Sequence, residues 1–426
     1  MSSTNITASI ITIGDELLIG QTIDTNSSWM AHQLNTIGIW VKKRIAIGDN
    51  RTDIWQALDE TIADTDIVLI TGGLGPTADD ITKPLLCDYF GGKMVMNDTV
   101  LEHVKNIFEN ILKRPLLERN IKQASVPDNC KVLLNKSGTA PGMWFEKKDP
   151  ETDRIKIIIS MPGVPHEMKG LMQTYVLPQL SDFNKEELIV HRTLLTAGAG
   201  ESFIAEKLQI WEEKLPDNIK LAYLPNYGMV RLRLTGRGNK ESDIEQRTQE
   251  KFGELCELVN DLMVIPEDHP LEKALGELLL RKQKSIATAE SCTGGYIAHL
   301  MTSIPGSSSY YKGSVIAYDN QTKHDLLEVD SEVLTEFGAV SKETVSSMLN
   351  GLLSSLKTDY GMAVSGIMGP DGGTAEKPVG TVWIAVGSKE KHITQSFHIR
   401  FDRQRNIQLT AANALLMMFK FISSES

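Results

Sequence analysis

Short apolar, β-branched runs that stop at glycine-rich loops and pass into amphipathic segments constrain this chain more than any other feature. ASIITIGDELLIG reads as a strand ending in a loop, and NSSWMAHQLNTIG as an amphipathic helix closed by Gly38. IWVKKRIAIG is a strand, TDIWQALDETIAD a helix, and TDIVLITGGLGPT a strongly apolar strand entering a glycine loop. RIKIIISMPGVPHEM repeats the format. Alternating strand and helix patterns of this kind imply a parallel sheet covered by helices, an α/β class.

At 426 residues the chain exceeds what one hydrophobic core usually supports. The character changes near Pro178, where ELIVHRTLLTAG, ESFIAEKLQIWEEKL and IKLAYLPNYGMVRLRLTGRG suggest a small α+β module. A third segment follows VIPEDHP, so the expected domains are 1–175, 176–264 and 265–426. The net charge of −11 argues against a broad nucleic-acid surface, which needs clustered Lys and Arg. Cys87, Cys130, Cys256 and Cys292 form no C-x-x-C pair, so neither a disulfide framework nor a zinc site is expected, and free thiols suit a reducing cytoplasm. The N-terminus carries no signal-peptide pattern. The apolar run 414–419 is too short to span a bilayer and reads as part of a buried helix.

In the first segment three loops follow strand patterns: Gly14-Asp15-Glu16, Thr71 through Asp80, and Pro162 through Glu167. Loops at the carboxyl ends of strands line the ligand crevice of open α/β sheets. Glycines there let backbone amides approach phosphate, and a helix N-terminus favours anions. Adjacent Asp79 and Asp80 cannot neutralise phosphate themselves, but they can hold a divalent cation that bridges to it. The plainer reading makes the glycines turns and the aspartates a helix cap. The spacing matches neither a Walker A motif nor G-x-G-x-x-G.

GDELLIG, DTN, TGGLGPTADD, SGTAPG and PGVPHEM resemble the molybdopterin-binding-like domain of the CinA (competence/damage-inducible) family over most of residues 8–170. The resemblance implies a nucleotide- or pterin-sized phosphate ligand and, in some members, a metal-dependent ADP-ribose pyrophosphatase. Carried over, Asp15, Asn26, Gly72, Gly73, Gly75, Thr77, Asp79 and Asp80 line that site, with Ser137, Thr139 and Glu167 nearby.

In the third segment TAESCTGG (288–295) links an apolar run to a helix-like run, the place where an α/β protein displays a nucleophile. Ser291 and Cys292 stand side by side. A serine needs a base, and no histidine of the segment sits in a loop with another motif residue apart from His324, beside Lys323. A lysine with a depressed pKa can serve instead, and Tyr318 through Lys323 supplies a tyrosine and a lysine just past a probable strand. The tyrosine would relay the proton or orient the lysine. Cys292 is a rival, because thiols at helix N-termini have lowered pKa. A serine here can equally be a helix N-cap, and a cysteine a small core residue.

AESCTGG, YKGSVIAYDNQTK, FGAVSKETV, SGIMGPDGGTAEKPVGTVW and FDRQRN resemble the CinA C-terminal domain, the family of nicotinamide mononucleotide (NMN) deamidases, over nearly all of 265–425. The resemblance implies Ser291 as nucleophile, Tyr318 and Lys323 as its activators, and Arg403 near the substrate phosphate. Phe401 stands where the family often has Gly, which leaves Arg405 as a second candidate. In the implied reaction a neutral Lys323 draws the proton from Ser291, whose Oγ attacks the carboxamide carbon. Amides around Thr293, Gly294 and Gly295 hold the oxyanion. Gly366, Gly369, Asp371 and Gly372, with Arg403, hold ribose and phosphate, and Glu290 or Asp371 faces the pyridinium ring. This half needs no cofactor. The expectation is a cytoplasmic homodimer acting on small nucleotides (NMN and ADP-ribose), with no nucleic-acid or membrane partner. The alternatives are a non-catalytic nucleotide- or pterin-binding protein, a pyrophosphatase acting mainly through its first domain, and a molybdenum-cofactor assembly enzyme.

Overall fold

The computed structural model describes residues 6–77, 80–150, 152–184, 187–226 and 228–425. Asp79 lies outside the described residues. The chain divides into two compact units, 1–191 with 216–220 and 235–249, and 192–215 with 221–234 and 250–426.

In the first unit the strands are β1 (Thr7–Ile13), β2 (Trp40–Ile47), β3 (Ile67–Thr71), β4 (Met94–Met96), β5 (Ser125–Pro127), β6 (Lys131–Leu133), β7 (Gly142–Lys148) and β8 (Ile155–Met161). The main sheet has the order β2-β1-β3-β8-β7-β6. Strands β2, β1, β3 and β8 run parallel, as the alternating pattern predicts. β7 and β6 are antiparallel to their neighbours. The short link between β7 and β8 explains the reversal, since a parallel pair needs a long crossover.

Successive residues of a strand point to opposite faces, and both faces of this sheet are covered. Ile10, Ile67, Leu69, Ile157 and Ile159 pack with Met30 and Leu34 of the helix Thr25–Thr36 and Met168 and Leu171 of the helix Pro165–Leu171. Ile11, Val68, Ile70 and Ile158 pack on the other side with Ile54 and Leu58 of the helix Arg51–Asp64 and with Leu85 and Leu86. Each fully buried side chain of this kind contributes about 1.5–3 kcal/mol. That double burial is why the runs read as continuously apolar rather than alternating.

The middle module contains β9 (Glu187–Ala197), the helix Glu201–Glu212, β10 (Ile219–Asn226), β11 (Met229–Asn239), the helix Ile244–Leu258 and β12 (Met263–Ile265). Its sheet order is β10-β11-β9-β12, the βαββαβ ferredoxin-like arrangement. The strands of this module are divided between the two units.

The C-terminal part of the second unit has β13 (Ile286–Glu290), β14 (Tyr311–Ile316), β15 (Tyr360–Gly366), β16 (Thr381–Gly387) and β17 (His392–His398), in the order β14-β13-β15-β16-β17. β13 is parallel to both neighbours, whereas β16 and β17 are antiparallel. One face presents large residues (Met362, Val364, Ile384, Val386) to the helices Leu271–Lys282 and Arg403–Ser424. The other presents Ala287, Ala289, Ala363 and Ala385, which lets the helix Lys342–Leu356 approach with Val345, Met348, Leu349 and Leu352. Ser341 caps that helix by accepting from Thr344 N. The apolar run at 414–419 belongs to a helix of 22 residues, long and apolar enough by composition to cross a bilayer. Here Leu409, Ala414, Leu415, Met418 and Phe421 bury it in the core.

Lys83 is a buried cation in the first unit, only 7% exposed, with Nζ donating to Gln123 O at 2.8 Å. Burial pushes its pKa down to about 8, against the opposing pull of Cys130 and Asp80. Between that value and the 10.5 of an unfolded lysine, the unfolded state holds a proton that the native state lacks, so stability rises with pH through this window. Urea titrations of wild type and Lys83→Met at pH 8 and pH 10.5 should show the variant losing about 1–3 kcal/mol of that alkaline gain. Identical pH slopes would contradict the buried-cation account.

Candidate active site

The two helices that follow β13 and β14 leave toward opposite faces of the C-terminal sheet. Ile297 and Met301 of the helix Tyr296–Thr302 join the large-residue face, and Leu327 of the helix Asn320–Leu327 joins the alanine face. Such a divergence between adjacent parallel strands opens a crevice at their carboxyl ends. Ser291 begins that crevice, pinned by Ser291 N to Val364 O at 3.1 Å, while Ala317 N donates to Glu290 O at 2.9 Å. The strand ends bearing Ser291 and Tyr318 are therefore direct neighbours.

Glu290 builds the turn. It is fully buried, and its carboxylate accepts from Thr288 Oγ1 (3.2 Å), Thr293 Oγ1 (2.7 Å), Gly295 N (3.0 Å), Ile297 N (3.1 Å) and Ala298 N (2.7 Å). The amides of Gly295, Ile297 and Ala298 belong to the N-terminus of the helix Tyr296–Thr302, where a negative charge also meets a favourable dipole. Glu290 thus faces the helix rather than a pyridinium ring, a correction to the sequence reading. The oxyanion assignment shifts for the same reason. Gly295 N is held by Glu290, and Gly294 N donates to Ser291 O at 3.2 Å. The N–H groups of Cys292 and Thr293 have no carbonyl or carboxylate acceptor among the described residues.

Ser291 is 7% exposed, and its hydroxyl makes no hydrogen bond to a described residue. Cys292 lies in the apolar core. Burial pushes its thiol up to about 12, and the nearby Lys323 and Arg403 charges only partly oppose the shift. A bond from its own backbone N–H also lowers the thiol's pKa, but desolvation outweighs it, which disfavours the thiolate.

Lys323 is 1% exposed. Its Nζ donates to Ala317 O (3.1 Å), Tyr318 O (3.2 Å) and Asp319 O (3.3 Å), at the end of the strand beside Ser291. Burial holds its pKa below the ordinary 10.5, while Asp319 opposes the shift. Three carbonyl acceptors match the three N–H bonds of an ammonium, so the resting geometry suits the charged form rather than the expected neutral amine. Tyr318 is 62% exposed, and its hydroxyl accepts from Arg403 Nη2 at 2.9 Å. Arg403 Nη1 donates to Gly369 O at 2.7 Å. Arg405 stacks instead on Phe401, its guanidinium carbon 4.2 Å from the ring centroid, which separates the two candidate arginines.

Arg403 also lines an open cleft of about 610 Å³ with Thr293, Gly294, Gly295, Tyr296, His299, Gln404 and Gln408. Gly366, Asp371 and Gly372 are not among its lining residues, and Asp371 and Gly372 are exposed. Tyr296, His299, Gln404 and Gln408 were not anticipated. The spacing of 404 and 408, and of 296 and 299, along two helices was the available signal.

In the first unit the three anticipated loops meet. Asn26 Nδ2 donates to Gly163 O at 2.7 Å, and Thr71 Oγ1 donates to Pro162 O at 2.8 Å. Asn26 Oδ1 is buried without a partner. Gly72 and Gly73 have φ of 116° and 64°, and a Cβ on Gly72 would lie 2.1 Å from Ile13 O. Only glycine therefore lets these backbones approach. Asp15 Oδ1 accepts from Asp49 N at 3.2 Å. Glu167 accepts from Asn135 Nδ2 at 2.6 Å, with burial raising its pKa. Ser137 N donates to Asn135 Oδ1 at 3.0 Å, and Thr139 is half-buried nearby in sequence. Asp80 braces the glycine loop, accepting from Gly75 N (2.7 Å), Thr77 N (2.9 Å) and Thr77 Oγ1. These bonds occupy three acceptor positions of its carboxylate, and Asp79, the other half of the expected metal pair, lies outside the described residues. Among the described residues the one metal-compatible group, Glu267, His269 and Glu277, belongs to the other unit.

Comparison with known proteins assigns three regions. Residues 9–182 match the family described as "Probable molybdopterin binding domain", 191–262 "Damage-inducible protein CinA KH domain", and 268–422 "CinA C-terminal domain". A CinA-like protein of Cytophaga hutchinsonii is 44% identical over 96% of this chain and 96% of its own length. Another, of Flavobacterium psychrophilum, is 43% identical over 97% of this chain and 98% of its own length. The crystal structure of the competence damage-inducible protein A (ComA) from Klebsiella pneumoniae subsp. pneumoniae MGH 78578 is 28% identical, covering 37% of this chain and 97% of that one with a TM-score of 0.36.

Glu290→Gln places an amide NH₂ against backbone N–H donors and removes the charge that they solvate. It should cost about 2–4 kcal/mol by urea denaturation, whereas Ser291→Ala should cost under about 1 kcal/mol. A Glu290→Gln protein as stable as wild type would contradict the structural role given to this carboxylate.

Proposed function

This chain belongs to the CinA family, and we propose that its C-terminal domain is a nicotinamide-nucleotide amidohydrolase that converts NMN to nicotinic acid mononucleotide and ammonia. One observation carries the reading. A serine with an unengaged hydroxyl stands at the end of β13, and a buried lysine is anchored at the end of the neighbouring β14.

In the proposed reaction Lys323 releases one of its carbonyl bonds on losing a proton and so presents a lone pair. Burial favours that loss, because the charged form is the costlier one to desolvate. Ser291 Oγ, its proton passed to this amine with Tyr318 as relay or orienting group, bonds to the carboxamide carbon. The N–H groups of Cys292 and Thr293 receive the oxygen. The C–N bond then breaks, ammonia leaves with the returned proton, and water hydrolyses the ester in the reverse sense. Arg403 serves first as the clamp joining Tyr318 to the Gly369 carbonyl. Its second role is to supply positive charge at the cleft, where the phosphate of the substrate is held.

The N-terminal crevice is read as a second nucleotide site, of ADP-ribose size. The unpartnered Asn26 Oδ1 and the closely approaching glycine loop support this reading. Pyrophosphate hydrolysis there follows from the family resemblance, and no step is assigned to a metal.

Ammonia release from NMN by purified protein is the test. Ser291→Ala should lose at least about 10³-fold in kcat, in line with removal of a covalent nucleophile. kcat/KM of wild type should rise with pH along a limb centred below 10.5. Lys323→Arg, which keeps a cation but cannot act as a base, should be inactive throughout. A fully active Lys323→Arg enzyme would remove lysine from the mechanism.

A further inference from the structure

The carbonyls of Met368 and Gly369, adjacent in the chain, are taken by two different residues of the helix Arg403–Ser424. Arg403, an exposed residue, reaches Gly369 O. Asn406, which has no exposure at all, donates from Nδ2 to Met368 O at 3.0 Å. The other N–H of the same amide goes to Phe401 O at 3.0 Å, and its oxygen accepts from Phe401 N at 3.1 Å. The Asn406 side chain therefore ties the loop that carries the acceptor of the Arg403 bond to the turn from which Arg403 itself projects.

Two carbonyls and one N–H around this amide match its two donors and its oxygen, so its orientation is fixed. Aspartate lacks the donors, and leucine of similar shape lacks both kinds of group. Water does not compete for these buried bonds, and losing them strands three backbone groups. The Arg403 bonds are of another kind. They leave an exposed, many-jointed side chain and end on neutral groups, Gly369 O and the Tyr318 hydroxyl. Such bonds hold a guanidinium in one place only when their acceptors stand still, because ordering a long side chain costs entropy. Asn406 supplies that fixed frame for Gly369, and the order passes through Arg403 to Tyr318. A local role in starting the helix is already filled by Asp402, whose Oδ1 accepts from Arg405 N at 3.0 Å.

We propose that Asn406 is a positioning residue of the cleft: from the core beneath it, its amide sets where the Arg403 guanidinium stands and, through that, where the Tyr318 hydroxyl points. The consequence for turnover rests on the amidase reading, whereas the consequence for Arg403 itself does not.

The test compares full-length wild type, Asn406→Ala, Arg403→Ala, the double variant and Leu353→Ala, each at a temperature where its melt shows it folded. Asn406→Ser, which keeps one donor, takes the place of Asn406→Ala if that variant does not fold. Leu353 packs on the opposite face of the sheet and controls for lost stability alone. In the protein without ligand, phenylglyoxal followed by mass mapping should modify Arg403 at least about threefold faster in Asn406→Ala than in wild type, as expected when a hydrogen bond is released. Leu353→Ala should keep the wild-type rate. With NMN, Asn406→Ala should lower kcat/KM by about tenfold when Arg403 is present and by less than about twofold in the Arg403→Ala background, because the two residues act as one unit. Equal phenylglyoxal rates in wild type and Asn406→Ala would overturn the proposal. So would a rise as large in Leu353→Ala, or a kinetic loss as large without Arg403 as with it, either of which marks a merely structural residue. Wild-type protein that releases no ammonia from NMN sinks the amidase reading alone, and the reactivity of Arg403 then decides this one.

Discussion

A single buried carboxylate organises the C-terminal site. Glu290 ends a fully buried strand, and its charge is tolerable there only because backbone amides and two threonine hydroxyls surround it. The same bonds fix the start of the helix Tyr296–Thr302 and therefore the path of the chain from Ser291 to Gly295. A partly satisfied arrangement would be worse than an apolar one, since an unpaired buried charge is costly. Full satisfaction makes the turn rigid, and rigidity holds the Ser291 hydroxyl at a strand end without a bond of its own.

Lys323 presents the complementary problem on the neighbouring strand end. It is a cation in a dry place, held by carbonyls instead of by a carboxylate. Dipoles stabilise the ammonium less than a formal counter-charge does, so desolvation shifts its pKa downward even with Asp319 nearby. The site therefore pairs a stabilised anion, Glu290, with a less firmly stabilised cation, Lys323. The first sets geometry, and the second has a proton to exchange. Cys292 shows the opposite consequence of burial: a thiol beside these charges stays protonated because desolvation outweighs them.

Much of this was legible in the chain. The apolar runs ending in glycine gave β3, β8 and β13 and put the N-terminal loops together, because strands buried on both faces leave an unmistakable composition. The antiparallel β7 was not visible, since its pairing is set by a short link rather than by a helical crossover. Glu290 was misread because a charged residue at a strand end looks like a ligand group. Only the count of donors reaching it from the following helix shows otherwise. Asp80 likewise turns its oxygens inward to Gly75 and Thr77, which the sequence does not show. His299, Gln404 and Gln408 escaped notice because helical spacing shows which residues share a face but not which face meets a cleft.

In the proposed reaction Ser291, and not Cys292, forms the covalent intermediate. Rapid acid quench of the enzyme turning over NMN, followed by proteolysis and mass mapping, tests it most directly. The account predicts a nicotinoyl ester on Ser291, absent when NMN is omitted. A nicotinoyl group on Cys292, or steady turnover with neither residue ever modified, would contradict it.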